Sequence, residues 1–385
     1  RGGRRVSAGA RKTNRTTDQH GQLEQSTISA GWNPNAGVSP HGVCDNGEVI
    51  ETTLDSVVGL RDAVAATEFA TNPSAAAEAE AVADQIDDYI LPRLANIDAP
   101  LLAVVGGSTG SGKSTLVNAI VGRQVSTSGV IRPTTRQPVL VANPADSEWF
   151  NSGHVLPGLA REQGEAGANP SATSLRTVAS EAVSPGLALL DAPDFDSIDD
   201  RNRALASQLL AAADLWVFVT TPSRYADQLV WNFLHDAAGR DIEVIVVLNR
   251  VDEDALETVP DDLRRMMAEA GLGQATLFTV PDHGQVEGLL PEDLVAPLRG
   301  HLQRLAEDAA ARRSMAAKTV QGALGSVAER VERLAVERQR QEEFGAQLGE
   351  TFDGNYLRAR DQVIDATSDG NLLRQEVLQR WQDFV

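Results

Sequence analysis

The stretch LLAVVGGSTGSGKSTLVNAI, Leu101–Ile120, decides the fold of this 385-residue chain. It begins with an apolar run, continues through small residues around Lys113, and ends in a helical pattern. Within it, Gly107–Ser114 fits G-x-x-x-x-G-K-[ST] at every fixed position. Small residues let such a loop turn several backbone N–H groups toward a phosphate, at which the next helix points its positive end. The stretch therefore predicts a phosphate-binding loop between a strand and a helix.

The residue types in this loop indicate how a triphosphate would be held. The Lys113 ammonium would reach the β and γ oxygens, and the Ser114 hydroxyl would bind Mg²⁺. Lys113 is one of only three lysines in the chain, and a compact ammonium fits an enclosed loop better than the wide fork of arginine. The predicted phosphate-binding residues are Gly107, Ser108, Thr109, Gly110, Ser111, Gly112, Lys113, Ser114 and Thr115.

Short apolar runs alternate with helical patterns from residue 101 to about residue 305. Several runs are apolar at consecutive positions, as expected of strands that are covered on both faces. The strand candidates are LLAVVGG, QPVLVA, LALLDAP, LWVFVTT, IEVIVVLN and ATLFTV. The pattern predicts an α/β fold with a doubly wound, mostly parallel sheet in residues 99–305. Residues 143–174 are rich in Gly, Pro, Ser and Asn, and we expect them to form a surface loop.

The flanking segments differ in composition from this central region. Residues 1–50 are polar with little periodicity and predict a disordered tail. Residues 51–98 carry two alanine-rich helical patterns, and residues 306–385 are helical and heavily charged. The last pattern is interrupted at Val385, so we expect that the C-terminal region is truncated and that any membrane contact lies in the missing part.

The overall composition limits the classes of function. A formal net charge of −20 and a pI near 4.7 argue against a nucleic-acid-binding protein, because phosphate backbones are held by clustered Lys and Arg. The single cysteine, Cys44, cannot form an internal disulfide, which suits a reducing cytoplasm. No apolar run is long enough to span a membrane. We therefore expect a cytoplasmic protein that does not bind nucleic acid.

The end of a later apolar run indicates which base is bound. EVIVVLNRVDE ends with Asn249, Arg250 and Asp252, which resembles the N-K-x-D guanine-reading motif of GTPases. An Asp accepts hydrogen bonds from the ring N–H and the amino group of guanine, whereas adenine offers no such donor pair. By this resemblance, Asn249 would bind the other edge of the base and brace the phosphate loop. Arg250 replaces the usual lysine and can stack on the base similarly.

A third run, LALLDAPDFDS, places Asp191 at its end. It resembles the D-x-x-G motif, in which the Asp holds Mg²⁺. Asp194 replaces the glycine whose N–H would meet the γ-phosphate, and a carboxylate there would repel that phosphate. Phe195 follows, where Ras-like proteins have a glutamine that orients the attacking water. We therefore expect slow hydrolysis.

Between these motifs lies SGVIRPTTRQPVLV. Its T-T-R resembles the first switch of the Era- and TrmE-like GTPases, where the Thr before the Arg binds Mg²⁺ and the γ-phosphate. The resemblance assigns this role to Thr135, with Thr134 as second choice. No Ser-Ala-Lys-like loop is present near FTVPDHG.

The four motifs occur in GTPase order, and GKSTLVNAIVG and DAPDFDS most resemble Era-like and dynamin-related bacterial GTPases of the YfjP-like group. The resemblance implies a Mg²⁺-dependent GTP-binding protein with slow hydrolysis, a molecular switch or dynamin-like GTPase. Its catalytic residues would be Lys113, Thr135 and Asp191, and its metal ligands Ser114, Thr135 and Asp191. Its partners would be GTP and GDP, together with a second copy or another protein at the C-terminal helices.

Two other classes of function stay open at this point. One is a P-loop ATPase or nucleotide kinase, in which case the match of NRVD to the guanine-reading motif would be accidental. A kinase should also show a lid that carries arginine. An assembly or scaffold protein would use nucleotide only as a regulator of the C-terminal helices.

Overall fold

The structure is a computed structural model that describes residues 46–126, 137–164, 173–196, 200–239, 242–284, 288–368 and 371–385. The predicted disordered tail lies mostly outside these residues. The chain divides into two units, Arg1–Glu48 and Val49–Val385. The first helix begins at Asn46, inside the segment predicted as a tail.

The strands and helices of the described residues follow the alternation seen in the sequence. The strands are β1 (Leu101–Gly107), β2 (Val139–Ala142), β3 (Ala160–Gln163), β4 (Ser174–Ala179), β5 (Leu187–Asp191), β6 (Leu215–Thr220), β7 (Glu243–Val251) and β8 (Thr276–Pro281). The helices are α1 (Asn46–Ala65), α2 (Pro73–Gln85), α3 (Leu91–Ala95), α4 (Lys113–Val121), α5 (Ser147–Asn151), α6 (Asp200–Ala211), α7 (Gln228–Gly239), α8 (Thr258–Glu269), α9 (Glu292–Glu307), α10 (Ala309–Ser368) and α11 (Asn371–Gln382).

One eight-stranded sheet has the order β3-β4-β2-β5-β1-β6-β7-β8. Strand β2 runs antiparallel to β5, and the other neighbouring pairs are parallel. Every residue of β1 is buried, as a central strand with helices on both faces requires. The predicted α/β fold with a mostly parallel sheet is confirmed.

Apolar side chains cover both faces of this sheet. In β1, Leu102 and Val104 belong to one core, whereas Leu101, Ala103 and Val105 belong to the other. Side chains alternate between faces along a strand, so a run of consecutive apolar residues supplies both cores.

The prediction of a surface loop at residues 143–174 is wrong. This segment contains α5 and the edge strand β3, and β4 begins at its end. Phe150 is 1% exposed and Leu156 is fully buried against the same core as Leu102. The polar composition hid these elements because only a few apolar side chains anchor them.

The N-terminal helices pack with the first half of α10. A π-helical turn, Ile86–Ile90, lies between α2 and α3. The side chains of Val82 and Ile86 form a third core with Val320 and Val327 of α10. Helix α10 has 60 residues, about 90 Å at 1.5 Å per residue, and its last buried residue is Leu334. None of the described helices has a stretch that is both long and apolar enough to cross a membrane.

A buried ion pair joins these helices to the sheet. Asp214, which is 0% exposed, precedes β6 and pairs with Arg93 of α3. Its carboxylate also accepts hydrogen bonds from the Leu102 backbone N–H at 2.7 Å and from the Tyr89 hydroxyl at 3.0 Å. Arg93 donates further to the carbonyl of Ala99 at 2.7 Å. Such full pairing is needed because an unpaired buried charge is strongly destabilising.

We expect that Asp214→Ala lowers the free energy of unfolding by about 3–5 kcal/mol, because it leaves the Arg93 guanidinium buried without its partner. The matched control is Glu269→Ala, which removes a 2.7 Å ion pair with Arg265 on the exposed face of α8. The control should cost less than about 1 kcal/mol. Guanidinium denaturation followed by circular dichroism measures both values, and equal losses would contradict the structural importance of the buried pair.

Candidate functional site

The predicted motifs meet at one edge of the sheet. Strands β5, β1, β6 and β7 are neighbours and run parallel, so their carboxyl ends lie together, where doubly wound sheets bind ligands. The loop after β1 leads into Lys113 at the start of α4. Asp191 is the last residue of β5, and Asn249 lies near the end of β7.

Two glycines allow the loop to approach its neighbours closely. A Cβ at Gly107 would lie 2.2 Å from the carbonyl oxygen of Val219. At Gly112, where φ is +94°, a Cβ would lie 2.4 Å from Nδ2 of Asn249. At Gly107 the obstructing atom belongs to the backbone, which cannot move aside easily. At Gly112 it is the end of the Asn249 side chain, and φ there is in the left-handed region that favours glycine. Backbone packing therefore requires the first fixed glycine, and backbone conformation favours the second.

Lys113 is held inside the loop. Its side chain is 4% exposed, and Nζ donates to the carbonyls of Gly107 at 2.9 Å and Ser108 at 3.0 Å. The same ammonium forms an ion pair with Asp194. The Asp194 carboxylate, which the sequence predicts to crowd the γ-phosphate, therefore contacts Lys113, the residue predicted to bind that phosphate.

The two acidic residues around Phe195 both contact the loop. Phe195 is 1% exposed and packs on Phe218, with ring centroids 5.7 Å apart. Asp196 accepts hydrogen bonds from the Thr109 backbone N–H at 2.6 Å and the Thr109 hydroxyl at 2.7 Å. Its other oxygen accepts from Arg224 at 3.0 Å. The buried ring therefore anchors a turn whose two carboxylates contact the loop at Lys113 and at Thr109.

Asp191 is fully buried beside the loop. Its Oδ2 accepts from the Ser114 hydroxyl at 2.6 Å and from the Ser126 hydroxyl at 2.5 Å, whereas its Oδ1 has no hydrogen-bond partner among the described residues. Burial raises the pKa of Asp191 above its ordinary value, and the serine hydrogen bonds and the Lys113 charge offset only part of the rise.

These atoms fit a divalent cation. A buried carboxylate oxygen without a donor and a neighbouring hydroxyl are the hard oxygen ligands that Mg²⁺ prefers, and a cation beside Asp191 would stabilise its ionised form. Ser114 and Asp191 are the two predicted metal ligands that the structure brings together.

Two loop serines also carry buried polar atoms without partners. Ser108 and Ser111 are each 1% exposed, and their Oγ atoms have no hydrogen-bond partner within the described part of the chain. Unsatisfied buried polar groups are rare in native structures and need an explanation. Their position in the phosphate loop indicates a polar ligand.

The segment that is predicted to read the base contains an irregularity of β7. The register shifts between Asn249 and Val251, and Arg250 has φ of +58°, which is unusual for a residue with a side chain. Asn249 Nδ2 donates to the carbonyl of Ser111 at 2.8 Å. Asp252, directly after β7, is exposed. The predicted base-reading segment is therefore joined to the loop around Lys113 through Asn249.

Thr134 and Thr135 lie outside the described residues. The structure instead shows Ser126 beside Asp191, which the sequence prediction missed. Asn118 of α4, also missed, holds Ser126 in place. The sequence did contain one signal, because Asn118 is the only polar residue in the apolar run LVNAIV. Nothing in the sequence marked Ser126 apart from its neighbours.

Comparison with known proteins relates the central part of the chain to dynamin-type GTPases. Residues 102–251 match the model of the Dynamin family. The probable transmembrane GTPase FZO-like, chloroplastic, from Arabidopsis thaliana is 24% identical over 186 residues, which are 46% of this chain and 19% of that protein. The family match confirms the resemblance to dynamin-related GTPases that the motifs predict. The matched part spans about a fifth of the length of this curated relative.

Two solved structures illustrate what this chain is similar to. One is a bacterial dynamin from an oligomerised pair, described as a mechanism for long-range sensing and tethering of membranes. Its TM-score is 0.42 at 12% identity, over 88% of this chain and 53% of that chain. The other is Aquifex aeolicus Era bound to GDP and AlF4⁻. Its TM-score is 0.32 at 18% identity, over 52% of this chain and 56% of that chain.

We expect that Asp194→Asn raises the affinity for GTP relative to GDP by about tenfold, because it releases the Lys113 ammonium from a charge-assisted hydrogen bond and removes a negative charge near the γ-phosphate. The control is Asp261→Asn on the exposed surface of α8, which should leave both affinities unchanged. Competition with a fluorescent guanine nucleotide measures the ratio. An unchanged ratio in Asp194→Asn would mean that this carboxylate does not compete with the γ-phosphate.

Proposed function

We propose that this chain binds guanine nucleotides with Mg²⁺ and hydrolyses GTP slowly, as a molecular switch or dynamin-like GTPase in the cytoplasm. The observation that carries the proposal is the meeting of the phosphate loop, Asp191 and Asn249 at one edge of the sheet. The match of residues 102–251 to the Dynamin family supports the same activity.

Phosphate binding would depend on the loop and on Lys113. The backbone N–H groups and the start of α4 supply positive electrostatic potential, and the buried ammonium supplies a full charge. Ser114 and Asp191 would hold Mg²⁺, with Thr135 as the third ligand that the resemblance implies. When bound, the metal would neutralise charge on the transferring phosphoryl group.

Base selection would depend on the end of β7. Asp252 would accept from the two guanine donors, and Arg250 would lie over the base. The bond from Asn249 to Ser111 links the base-reading segment to the phosphate loop. This arrangement favours GTP over the ATPase and nucleotide-kinase alternatives, in which NRVD has no use.

Slow hydrolysis follows from two contacts. Phe195 is packed in the core and has no polar group, so it would not orient a nucleophilic water as the glutamine at this position does in Ras-like proteins. The ion pair with Asp194 also competes for the Lys113 charge that would stabilise the transition state. Competition binding of GTP, GDP and ATP, with and without Mg²⁺, is the direct test of the proposed function.

We expect that Asp252→Asn lowers GTP affinity about ten- to hundredfold, because a hydrogen bond to a charged group contributes roughly 1.5–3 kcal/mol. Xanthosine triphosphate has a carbonyl in place of the guanine amino group, so the new side-chain amide should donate to it and raise its affinity. Fluorescence competition measures both nucleotides.

The matched control for this experiment is Asp254→Asn, the same change at an exposed residue in the next turn. It should bind GTP as the wild type does. Tighter binding of ATP than GTP by the wild type would overturn the proposed function.

A second candidate function, self-association, is favoured by the exposed half of α10. Leu348, Phe352 and Tyr356 are 41%, 71% and 72% exposed. Phe352 follows the buried Leu334 by 18 residues, about five helical turns. The apolar face that packs on the N-terminal helices therefore continues past them. We propose that a second copy of the chain covers this face in a nucleotide-dependent assembly.

We expect that Phe352→Glu weakens self-association at least about tenfold, since burying a phenylalanine contributes roughly 1.5–3 kcal/mol. Leu357→Glu is the control, because Leu357 lies about 140° around the helix from Phe352 and is also exposed. Sedimentation velocity with and without GTP measures association. Equal effects of the two changes would exclude the face at Phe352 as the interface.

A further inference from the structure

We propose that Ser126, held in place by Asn118, is a positioning residue for the metal-binding carboxylate of Asp191. This inference rests on the proposed function, because it concerns the Mg²⁺ that would accompany the nucleotide. Ser126 lies outside the motifs that predict the site, and Asn118, although it lies in GKSTLVNAIVG, is assigned no role by them.

The side chain of Asn118 fixes the backbone around Ser126. Its Oδ1 accepts hydrogen bonds from the N–H groups of Val125 and Ser126, both at 2.8 Å. Its Nδ2 donates to the carbonyl of Ser126, also at 2.8 Å. Asn118 is 3% exposed and Ser126 is 1% exposed, so water does not compete for these bonds. Three bonds from one amide leave the Ser126 backbone little freedom.

The Ser126 hydroxyl is therefore presented to Asp191 in a defined direction. It donates to Oδ2, which also accepts from Ser114. Two donors on the same oxygen fix the rotation of the carboxylate, and Oδ1, which has no partner among the described residues, is the oxygen left for a cation. Hydrogen-bonded residues behind a metal ligand orient it and tune its affinity.

Ser126 differs from Ser114 in what it can do. Ser114 would ligate the metal through its own oxygen, whereas Ser126 would act through the carboxylate alone. Its loss should therefore weaken Mg²⁺ binding and leave nucleotide binding without metal unchanged. If Ser126 were purely structural, its loss would alter both Mg²⁺ binding and metal-free nucleotide binding, or neither of them.

The experiment measures the release of fluorescently labelled GDP from the full chain over a range of Mg²⁺ concentrations, with EDTA as the metal-free point. In the wild type, we expect Mg²⁺ to slow release. In Ser126→Ala, the Mg²⁺ concentration for half of this effect should rise about ten- to hundredfold, the usual cost of removing such a partner. The release rate in EDTA should stay within about twofold of wild type.

The matched control is Ser180→Ala. Ser180 is also buried, at 9% exposure, but its hydroxyl accepts a hydrogen bond from the Ala182 backbone N–H. It should leave the Mg²⁺ dependence unchanged. A wild-type Mg²⁺ curve in Ser126→Ala would overturn this inference alone, as would faster release in EDTA with no change in the Mg²⁺ midpoint. A wild-type chain that retains no GDP at any Mg²⁺ concentration would overturn the proposed function and the inference together.

A double variant tests the contribution of Asn118. If Asn118 acts through Ser126, Asn118→Ala should raise the Mg²⁺ midpoint, and combining it with Ser126→Ala should raise the midpoint no further than Ser126→Ala alone. Additive effects would overturn the connection between the two residues. If circular dichroism shows that Asn118→Ala does not fold, Asn118→Asp replaces it, because Asp retains the acceptor for both backbone N–H groups.

Discussion

The close approach of the Gly107–Ser114 loop to the ends of β6 and β7 is the constraint on which the candidate site depends. The loop backbone lies against the backbone carbonyl of Val219 at Gly107 and against the side-chain amide of Asn249 at Gly112, so that a Cβ would lie 2.2 Å from the first neighbour and 2.4 Å from the second. These neighbours hold the loop from outside, and Lys113 holds it from inside, on two of the loop's backbone carbonyls and one carboxylate.

Two aspartates, Asp191 and Asp214, are both fully buried but differ in how many of their carboxylate oxygens accept hydrogen bonds. Asp214 has hydrogen-bond donors on both oxygens, from Tyr89, Arg93 and the backbone of Leu102. Asp191 has two donors on one oxygen and none on the other among the described residues. Burying a carboxylate is costly unless it is paired. The satisfied aspartate therefore joins the helices to the sheet, whereas the half-satisfied one is suited to a ligand.

The long helix α10 has two halves with different surroundings. One face of its first half packs on the N-terminal helices, and its second half presents Phe352 and Tyr356 to solvent on the same face. The helices that pack on α10 are joined to the sheet through the pair of Arg93 and Asp214.

The sequence by itself determined six of the eight strands, the glycine-rich loop around Lys113 and the order of the motifs, because these depend on local spacing and on runs of apolar residues. It did not reveal β3, β4 or α5, since Phe150 and Leu156 are anchored by contacts with distant strands. It also did not reveal that Ser126 and Asn118 reach Asp191, 65 residues from Ser126 along the chain, or that Asp194 pairs with Lys113. Which polar groups share a buried space is decided by tertiary packing, because neighbouring parallel strands bring together residues that no local pattern connects.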